Sequence, residues 1–258
     1  MLTDSQLASW DARGWLLLQG ALDDAAVTKV TAWVGEVAAW ADRGGPGLHH
    51  WEQTDRGPAL ARSEDLVPHH DGLRSLICDE LAQTATALLR EPAVLFKEKV
   101  NYKHPGGAGF APHQDATAYR YADHHVSCMV PVDPATAASG CLHVVSGSHR
   151  AGQLPTDERG RVQESVAATL PWERVEVVPG DLLWFDSYTP HQSGSNTTDR
   201  SRRALYLTYN ALAVGDLRTT YYADKQAEFA ASDGTFGGER VRMSISDDFL
   251  GRPAEGRR

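Results

Sequence analysis

Ala111-Pro112-His113-Gln114-Asp115 is the stretch on which the reading of this chain turns. Side chains alternate along an extended strand with period two, so His113 and Asp115 are expected on one face. One imidazole and one carboxylate placed that way can ligate a single ion. A third ligand from elsewhere would complete a 2-His-1-carboxylate facial triad, which leaves three positions open on Fe(II). His191, within Tyr188-Thr189-Pro190-His191-Gln192-Ser193-Gly194, is the candidate. A lone His-x-Asp is a weak signal in a chain with 11 histidines, so the weight falls on what surrounds the two segments.

Around the motif the chain is dense in short strand candidates: His125 to Val132, Cys141 to Val145, Val175 to Val178, Leu182 to Phe185 and Ala204 to Asn210. Asp133-Pro134, Ser139-Gly140, Ser146-Gly147-Ser148 and Pro179-Gly180-Asp181 mark turns between them. Many short strands with Gly/Pro turns indicate a sandwich or barrel. Just upstream, Val94 to Tyr102 alternates, with Lys97, Lys99 and Asn101 on one face and Phe96, Val100 and Tyr102 on the other. A lysine pair on a strand is ordinarily solvated. If this strand lines a pocket, Lys99 and Asn101 become contacts for an anion.

Before residue 92 the pattern is mostly helical. Thr3 or Ser5 caps a helix that Gly14 ends, Trp15-Leu16-Leu17-Leu18 has strand character, and Asp23 or Asp24 caps a second helix carrying Val27, Val30, Trp33, Val34 and Val37. Residues 43–70 break the periodicity and are expected to form a long loop, a candidate lid, with His49, His50, His69 and His70 as surface histidines and Trp51 as a residue that would face substrate. Asp71 is expected to cap a third helix from about Gly72 to Arg90. Leu217 to Phe229, with Tyr221-Tyr222, would either cover the site or form a subunit contact. The stretch from about Ala230 is Gly-rich and charged, and Pro253 to Arg258 is expected to fray. One domain is expected over 1–258: a helical part to about 92, a β core over about 93–212, and an extension from 213.

With 258 residues, 41% hydrophobic and 23% charged, the composition is that of a globular protein with a sizeable core. The net charge of −9 argues against a nucleic-acid surface, which needs a basic stripe. Cys78, Cys128 and Cys141 are odd in number and lack zinc-type spacing, so they read as reduced thiols in a cytoplasmic protein. No run approaches a membrane span or a signal peptide. Arg202-Arg203 leads into an apolar strand; a guanidinium entering a β core needs an anionic partner, and its fork matches a carboxylate, whereas at the strand's exposed start it would need none.

Taken together and in order, several segments resemble the phytanoyl-CoA dioxygenase family, including its ectoine-hydroxylase-like members. They are the helix-Gly-strand entry, His113-Gln114-Asp115, Ser139 to His149, Pro179-Gly180-Asp181-Leu182-Leu183-Trp184-Phe185, His191-Gln192-Ser193 and Arg202. The resemblance implies a mainly β fold with flanking helices, a double-stranded β-helix (jelly roll, cupin-like), and an Fe(II)- and 2-oxoglutarate-dependent oxygenase. It makes His113, Asp115 and His191 the iron ligands. Arg202, eleven residues after His191, becomes the anchor for the 2-oxoglutarate distal carboxylate in preference to Arg203, with Ser193 as a second contact. Ser146 stands where the family usually has proline before Gly147-Ser148-His149, a change in turn stiffness, and His149 is structural in this reading. Asp115 occupies the position that halogenating relatives leave to a small residue, so oxidation without chlorination is implied.

The implied reaction consumes O2 and 2-oxoglutarate, releases succinate and CO2, and oxidises an unactivated C–H of a small polar substrate. Phe96 to Lys103, Pro105-Gly106-Gly107 and His113-Gln114-Asp115-Ala116 look like the branch that includes 2-aminoethylphosphonate dioxygenases. Lys99 and Asn101 would then meet a phosphonate head group, or else the 2-oxoglutarate C1 carboxylate. A tailoring oxygenase for a sugar, amino acid or peptide is the alternative within the enzyme class, and a non-catalytic cupin-like binding protein is the alternative outside it. The expected partner is a small molecule, with no nucleic acid and no membrane, for a monomer or homodimer.

Overall fold

Thr3 opens the first helix, α1 (Asp4–Arg13), with a reciprocal cap: its side chain accepts from Gln6 N, and the Gln6 side chain accepts from Thr3 N. Gly14, in the left-handed conformation at φ 74°, ends α1 and turns the chain straight into β1 (Trp15–Leu18). Asp23 caps α2 (Asp24–Arg43), whose Val30, Val34 and Val37 are buried. The computed structural model describes residues 2–118, 121–232, 235–236, 239–240 and 249–254.

Residues 43–70, expected as a loop, instead carry β2 (Leu48–Thr54) and β3 (Gly57–Glu64), paired antiparallel around a tight turn. The strands escaped recognition because their buried side chains include His50, Glu52, Arg62, Ser63 and Glu64, so the usual apolar-inward alternation is obscured. Trp51 packs on the main hydrophobic cluster, His50 is buried, and His70 is half-buried and edge-on to Trp33; these three depart from the surface and substrate-facing roles expected of them. The third helix runs through Asp71–Arg74, a π-helical stretch Ser75–Leu81 and Ala82–Leu89. His70, not Asp71, caps it: His70 Nδ1 accepts from Leu73 N at 3.1 Å.

The remaining strands are β4 (Ala93–Lys103), β5 (Phe110–His113), β6 (His125–Pro131), β7 (Leu142–Val144), β8 (Glu173–Val175), β9 (Leu182–Asp186), β10 (His191–Ser193) and β11 (Arg202–Ala211). β8 lies slightly earlier than the expected Val175 to Val178, and Val177 makes only an isolated bridge to Ala135. The major sheet has the order β1-β9-β6-β11-β4-β3-β2 and is extended by Pro253–Ala254; the minor sheet has the order β5-β10-β7-β8. Pro253–Ala254 was expected to fray, while 255–258 and most of the Gly-rich stretch lie outside the described residues.

Two apolar layers follow. Helix residues Val34, Val37, Leu73 and Ile77 pack on the outer face of the major sheet, against Val100, Leu205, Leu207 and Tyr209. Between the two sheets, Trp15, Met129, Leu183 and Phe185 meet Leu142, Val144 and Val175. This is a jelly roll, a mainly β fold with flanking helices, as the resemblance implied. The inter-sheet layer is apolar toward β1 and β9 and turns polar toward β4, β3 and β2, which leaves room for a site. The three cysteines are unpaired thiols, with Cys128 and Cys141 buried. Among the described residues no helix is long and apolar enough to cross a membrane.

The helix Arg218–Ser232 is tied to β4 through Glu98. Glu98 Oε1 accepts from Leu66 N at 2.7 Å, Val67 N at 2.8 Å and Arg218 Nη2 at 2.7 Å, and Arg218 also reaches Asp65. Removing one partner of a buried ion pair leaves the other charge uncompensated, at about 3–5 kcal/mol. Arg218→Ala is expected to lower unfolding free energy by about that amount, read from urea denaturation, with Arg218→Lys recovering part of it.

Candidate active site

His113 is the last residue of β5 and His191 the first of β10, and the two strands pair antiparallel with these residues directly opposite. Their ring centroids are 4.1 Å apart. Each ring is oriented by a backbone carbonyl two residues upstream: His113 Nδ1 lies 2.7 Å from Ala111 O, and His191 Nδ1 lies 3.1 Å from Thr189 O. These bonds place the proton on Nδ1 and leave Nε2 as the ligand atom.

Asp115 does not continue the strand, as the alternation argument assumed. It begins a short helix, Asp115–Ala118, and Ala116 N donates to Ser187 O at 2.9 Å. The helical turn, and not a shared strand face, brings its carboxylate beside the imidazoles; the ligand atoms of His113, Asp115 and His191 all lie within 4.8 Å of one another. Gln114 points away, donating to Gly152 O and Tyr188 O and accepting from Leu154 N, which pins the neighbouring loops to the motif. Ser127 on β6 donates to Asp115 Oδ2 at 2.8 Å and sits 3.1 Å from Thr208 on β11. Burial alone would push the Asp115 carboxyl up, but His191, Lys97, Lys99 and His113 outweigh it and hold the group well below the usual carboxylate range. Two imidazoles and a carboxylate on one face are the donor set Fe(II) takes.

The triad opens into a cavity of about 440 Å³, mouth included, whose lining includes Lys99, Asn101, Ser127, Ser193, Tyr206 and Thr208. One strand supplies much of its chemistry. Along β4, Lys97, Lys99, Asn101 and Lys103 face inward, paired in register with Thr208, Tyr206, Ala204 and Arg202 of β11. Only Lys99 is more than slightly accessible; the expectation of a solvated lysine pair does not hold.

Arg202 and Arg203 part as the period of two requires. Arg203 is held outside by Asp133, at 2.8 Å to each carboxylate oxygen. Arg202 is 2% exposed. Its Nη2 donates to Gly140 O at 2.5 Å and its Nη1 to Tyr206 Oη at 3.4 Å, while Nε has no hydrogen-bond partner among the described residues. Lys103, which sequence reading passed over, lies beside it. Its Nζ is 3.0 Å from Ser193 Oγ, 3.2 Å from Gly140 O and 2.6 Å from Gly194 O. Burial pushes Lys103 down to about 6, and Arg202 adds to the effect. Gly140, at φ 74°, permits this packing: a Cβ there would come within 2.3 Å of Gly194 O.

His149 is structural, as expected. Its ring fills the space beside Gly14, where a Cβ would lie 2.3 Å from Nδ1. Gly14 O also accepts from Thr189 Oγ1 at 2.7 Å, so the turn between α1 and β1 braces the segment that orients His191.

The family model for phytanoyl-CoA dioxygenase (PhyH) matches residues 10–204. The chain belongs to the phytanoyl-CoA dioxygenase family. It is 46% identical over 255 residues to the methylphosphonate hydroxylase of Gimesia maris, with 98% of each chain covered. To the 2-aminoethylphosphonate dioxygenase of an uncultured bacterium it is 37% identical over 256 residues, covering 97% of this chain and 98% of that relative. Among solved structures, EctD from S. alaskensis with 2-oxoglutarate and 5-hydroxyectoine matches with a TM-score of 0.71 at 22% identity, over 82% of this chain and 77% of that one, which is a likeness of fold. Family membership, these full-length relatives and the His-Asp-His set make this phytanoyl-CoA dioxygenase family member an Fe(II)/2-oxoglutarate-dependent dioxygenase.

Groups that orient a ligating carboxylate typically carry about 10–100-fold in metal affinity. Ser127→Ala is expected to weaken Fe(II) binding within that range while leaving the far-UV circular dichroism unchanged, as read by anaerobic metal titration.

Proposed function

We propose that the protein hydroxylates a C–H bond of a small organophosphonate, consuming O2 and 2-oxoglutarate and releasing succinate and CO2. The observation that supports this reading most directly is the charge on the inner face of the major sheet. Arg62, Lys99 and Arg202 face inward there, beside the buried amines of Lys97 and Lys103, in a chain whose net charge is −9. Lys99 and Asn101 line the cavity beside the triad, where a phosphonate offers a second anion with several acceptor oxygens. A sugar or a neutral peptide supplies no such charge, and a pure binding protein has no use for an iron triad beside it. The two full-length relatives named for phosphonates point the same way.

In this reading His113, Asp115 and His191 hold Fe(II). Arg202 receives the far carboxylate of 2-oxoglutarate: its unpartnered buried Nε is a donor awaiting an acceptor, and a guanidinium fork matches a carboxylate. Ser193, steadied by Lys103, adds a hydroxyl to the same carboxylate. Lys99, set opposite Tyr206 in the cavity wall, faces the near end of the cosubstrate, and Asn101 orients Arg62. When bound, Fe(II) and 2-oxoglutarate activate O2 and deliver one oxygen atom to the substrate. The chain's own contribution is orientation and water exclusion: apolar Phe185 and Leu142 line the cavity alongside the polar contacts.

Arg202→Ala is expected to raise the 2-oxoglutarate requirement by at least tenfold, whereas Arg203→Ala, which removes only the surface pair with Asp133, should change it less than twofold; steady-state succinate assays separate the two. To test the reaction itself, succinate release by the iron-loaded protein is measured with methylphosphonate, 2-aminoethylphosphonate, methanesulfonate, amino acids and sugars. Stimulation by a phosphonate is the expected result. Stimulation by a sugar or amino acid alone would contradict it.

A further inference from the structure

Lys103, at the end of β4, is held by uncharged oxygens. Its Nζ lies 2.6 Å from Gly194 O, 3.2 Å from Gly140 O and 3.0 Å from Ser193 Oγ, and it makes no ion pair among the described residues. The charged and titratable groups that face it are Arg202, opposite it in register on β11, Glu52 of β2, and Cys141 beside Gly140. Glu52 accepts from Ala108 N at 3.3 Å, while His104 is turned to Leu60 O and Ser201 Oγ, and Arg203 to Asp133. Gly140 O accepts from both Lys103 and Arg202 and so ties the two cations together. The three oxygens around Nζ are not equivalent. The two carbonyls can only accept, whereas the hydroxyl can accept or donate. An ammonium spends its three protons on the three oxygens and leaves the Ser193 hydrogen to point into the cavity that Ser193 lines. A neutral amine has hydrogens for the carbonyls alone, and its lone pair takes the Ser193 hydrogen, so that oxygen lone pairs face the cavity instead.

We propose that 2-oxoglutarate binding is coupled to proton uptake by Lys103, a positioning residue that turns the Ser193 hydroxyl away from the amine and toward the cosubstrate carboxylate. The proposal rests on the reading above, in which Arg202 and Ser193 receive the far carboxylate, and adds a proton to that event. The balance is simple: one proton passes from solvent to Nζ, Ser193 stays an alcohol throughout, and no bond to carbon changes. Before the cosubstrate arrives, burial and then the Arg202 cation hold Lys103 down to about 6, so near neutral pH it is largely an amine. A carboxylate on Arg202 offsets the repulsion from that guanidinium and brings an opposite charge near Nζ, both of which favour the ammonium. The sign of the linkage follows. Binding raises the Lys103 pKa, so affinity for 2-oxoglutarate is greatest below the resting value and declines as pH rises from there toward the value in the complex.

The experiment uses the full chain loaded with Fe(II) without O2 and titrates 2-oxoglutarate by calorimetry in buffers of different ionisation enthalpy, which counts the protons exchanged. At about pH 7.5 the wild type is expected to take up at least about half a proton per 2-oxoglutarate, and its affinity to weaken by up to about tenfold per pH unit above about pH 6. Lys103→Met, which keeps the length of the side chain and removes the titrating group, is expected to abolish the uptake and flatten the pH profile. A Lys103 that served only to fill space would leave both unchanged in the wild type and the variant alike. Binding by the wild type without proton uptake would overturn the proposal and needs no variant, and undiminished uptake in folded Lys103→Met would overturn it as well. Either result, with 2-oxoglutarate affinity still lost in Arg202→Ala, leaves the anchor reading standing. An Arg202→Ala protein that binds 2-oxoglutarate as tightly as the wild type would overturn the anchor reading and the proposal together.

Discussion

A cation buried between two sheets must meet an anion, and the interior of this jelly roll is arranged around that requirement. The inner face of β4 presents Lys97, Lys99, Asn101 and Lys103 in succession, with Arg62 on one neighbouring strand and Arg202 on the other. Glu64 meets Arg62, Lys225 and His50 there, and Asp115 stands with His113 and His191 where a metal ion could be held. Arg202 Nε, buried beside them, has no hydrogen-bond partner among the described residues. A dicarboxylate cosubstrate at the Arg202 end would supply that donor with an acceptor.

The rest of the fold gives this polar strip its rigidity. β4 and β11 pair along ten positions, so the lysines on one and Arg202, Tyr206 and Thr208 on the other hold fixed spacing. The outer face of the same strands is apolar and carries the helices, which is what permits the inner face to be polar without loss of the core. The triad is fixed by three separate devices: β5–β10 pairing for the two imidazoles, carbonyls of Ala111 and Thr189 for their tautomers, and Ser127 for the carboxylate. Gly14 links the first of these elements back to the amino-terminal helix, because its carbonyl holds Thr189.

How far the sequence could be read follows from the same chemistry. Helix α1 with Thr3 and Gly14, helix α2 with Asp23, the run of short strands and the convergence of His113, Asp115 and His191 were all legible, because caps, turns and ordered motifs are local signals. Arg202 was distinguished from Arg203 by family spacing, and the structure shows the physical counterpart, one buried and one paired outside with Asp133. What failed was every inference that assumed apolar residues point inward. β2 and β3 looked like a loop because His50, Arg62 and Glu64 occupy their inner positions. Lys97 looked solvated for the same reason, and Lys103 drew no notice at the end of its strand. Asp115 was placed on a strand by a period-two argument that cannot see the strand end at His113. The signal that would have found the polar strip was present in the alternation of Lys97, Lys99, Asn101 and Lys103, read as a pocket wall.

The central claim is that the cavity holds two anions at once and couples the oxidation of one to that of the other. It is tested most directly by following methylphosphonate and 2-oxoglutarate in one reaction under 18O-labelled O2, with phosphorus-31 NMR for the phosphonate, mass spectrometry for the label and succinate assayed in parallel. The account predicts one hydroxylated phosphonate per succinate, with a single labelled oxygen in each product. Succinate formed at the same rate whether or not a phosphonate is present, with the phosphonate recovered unchanged, would contradict it.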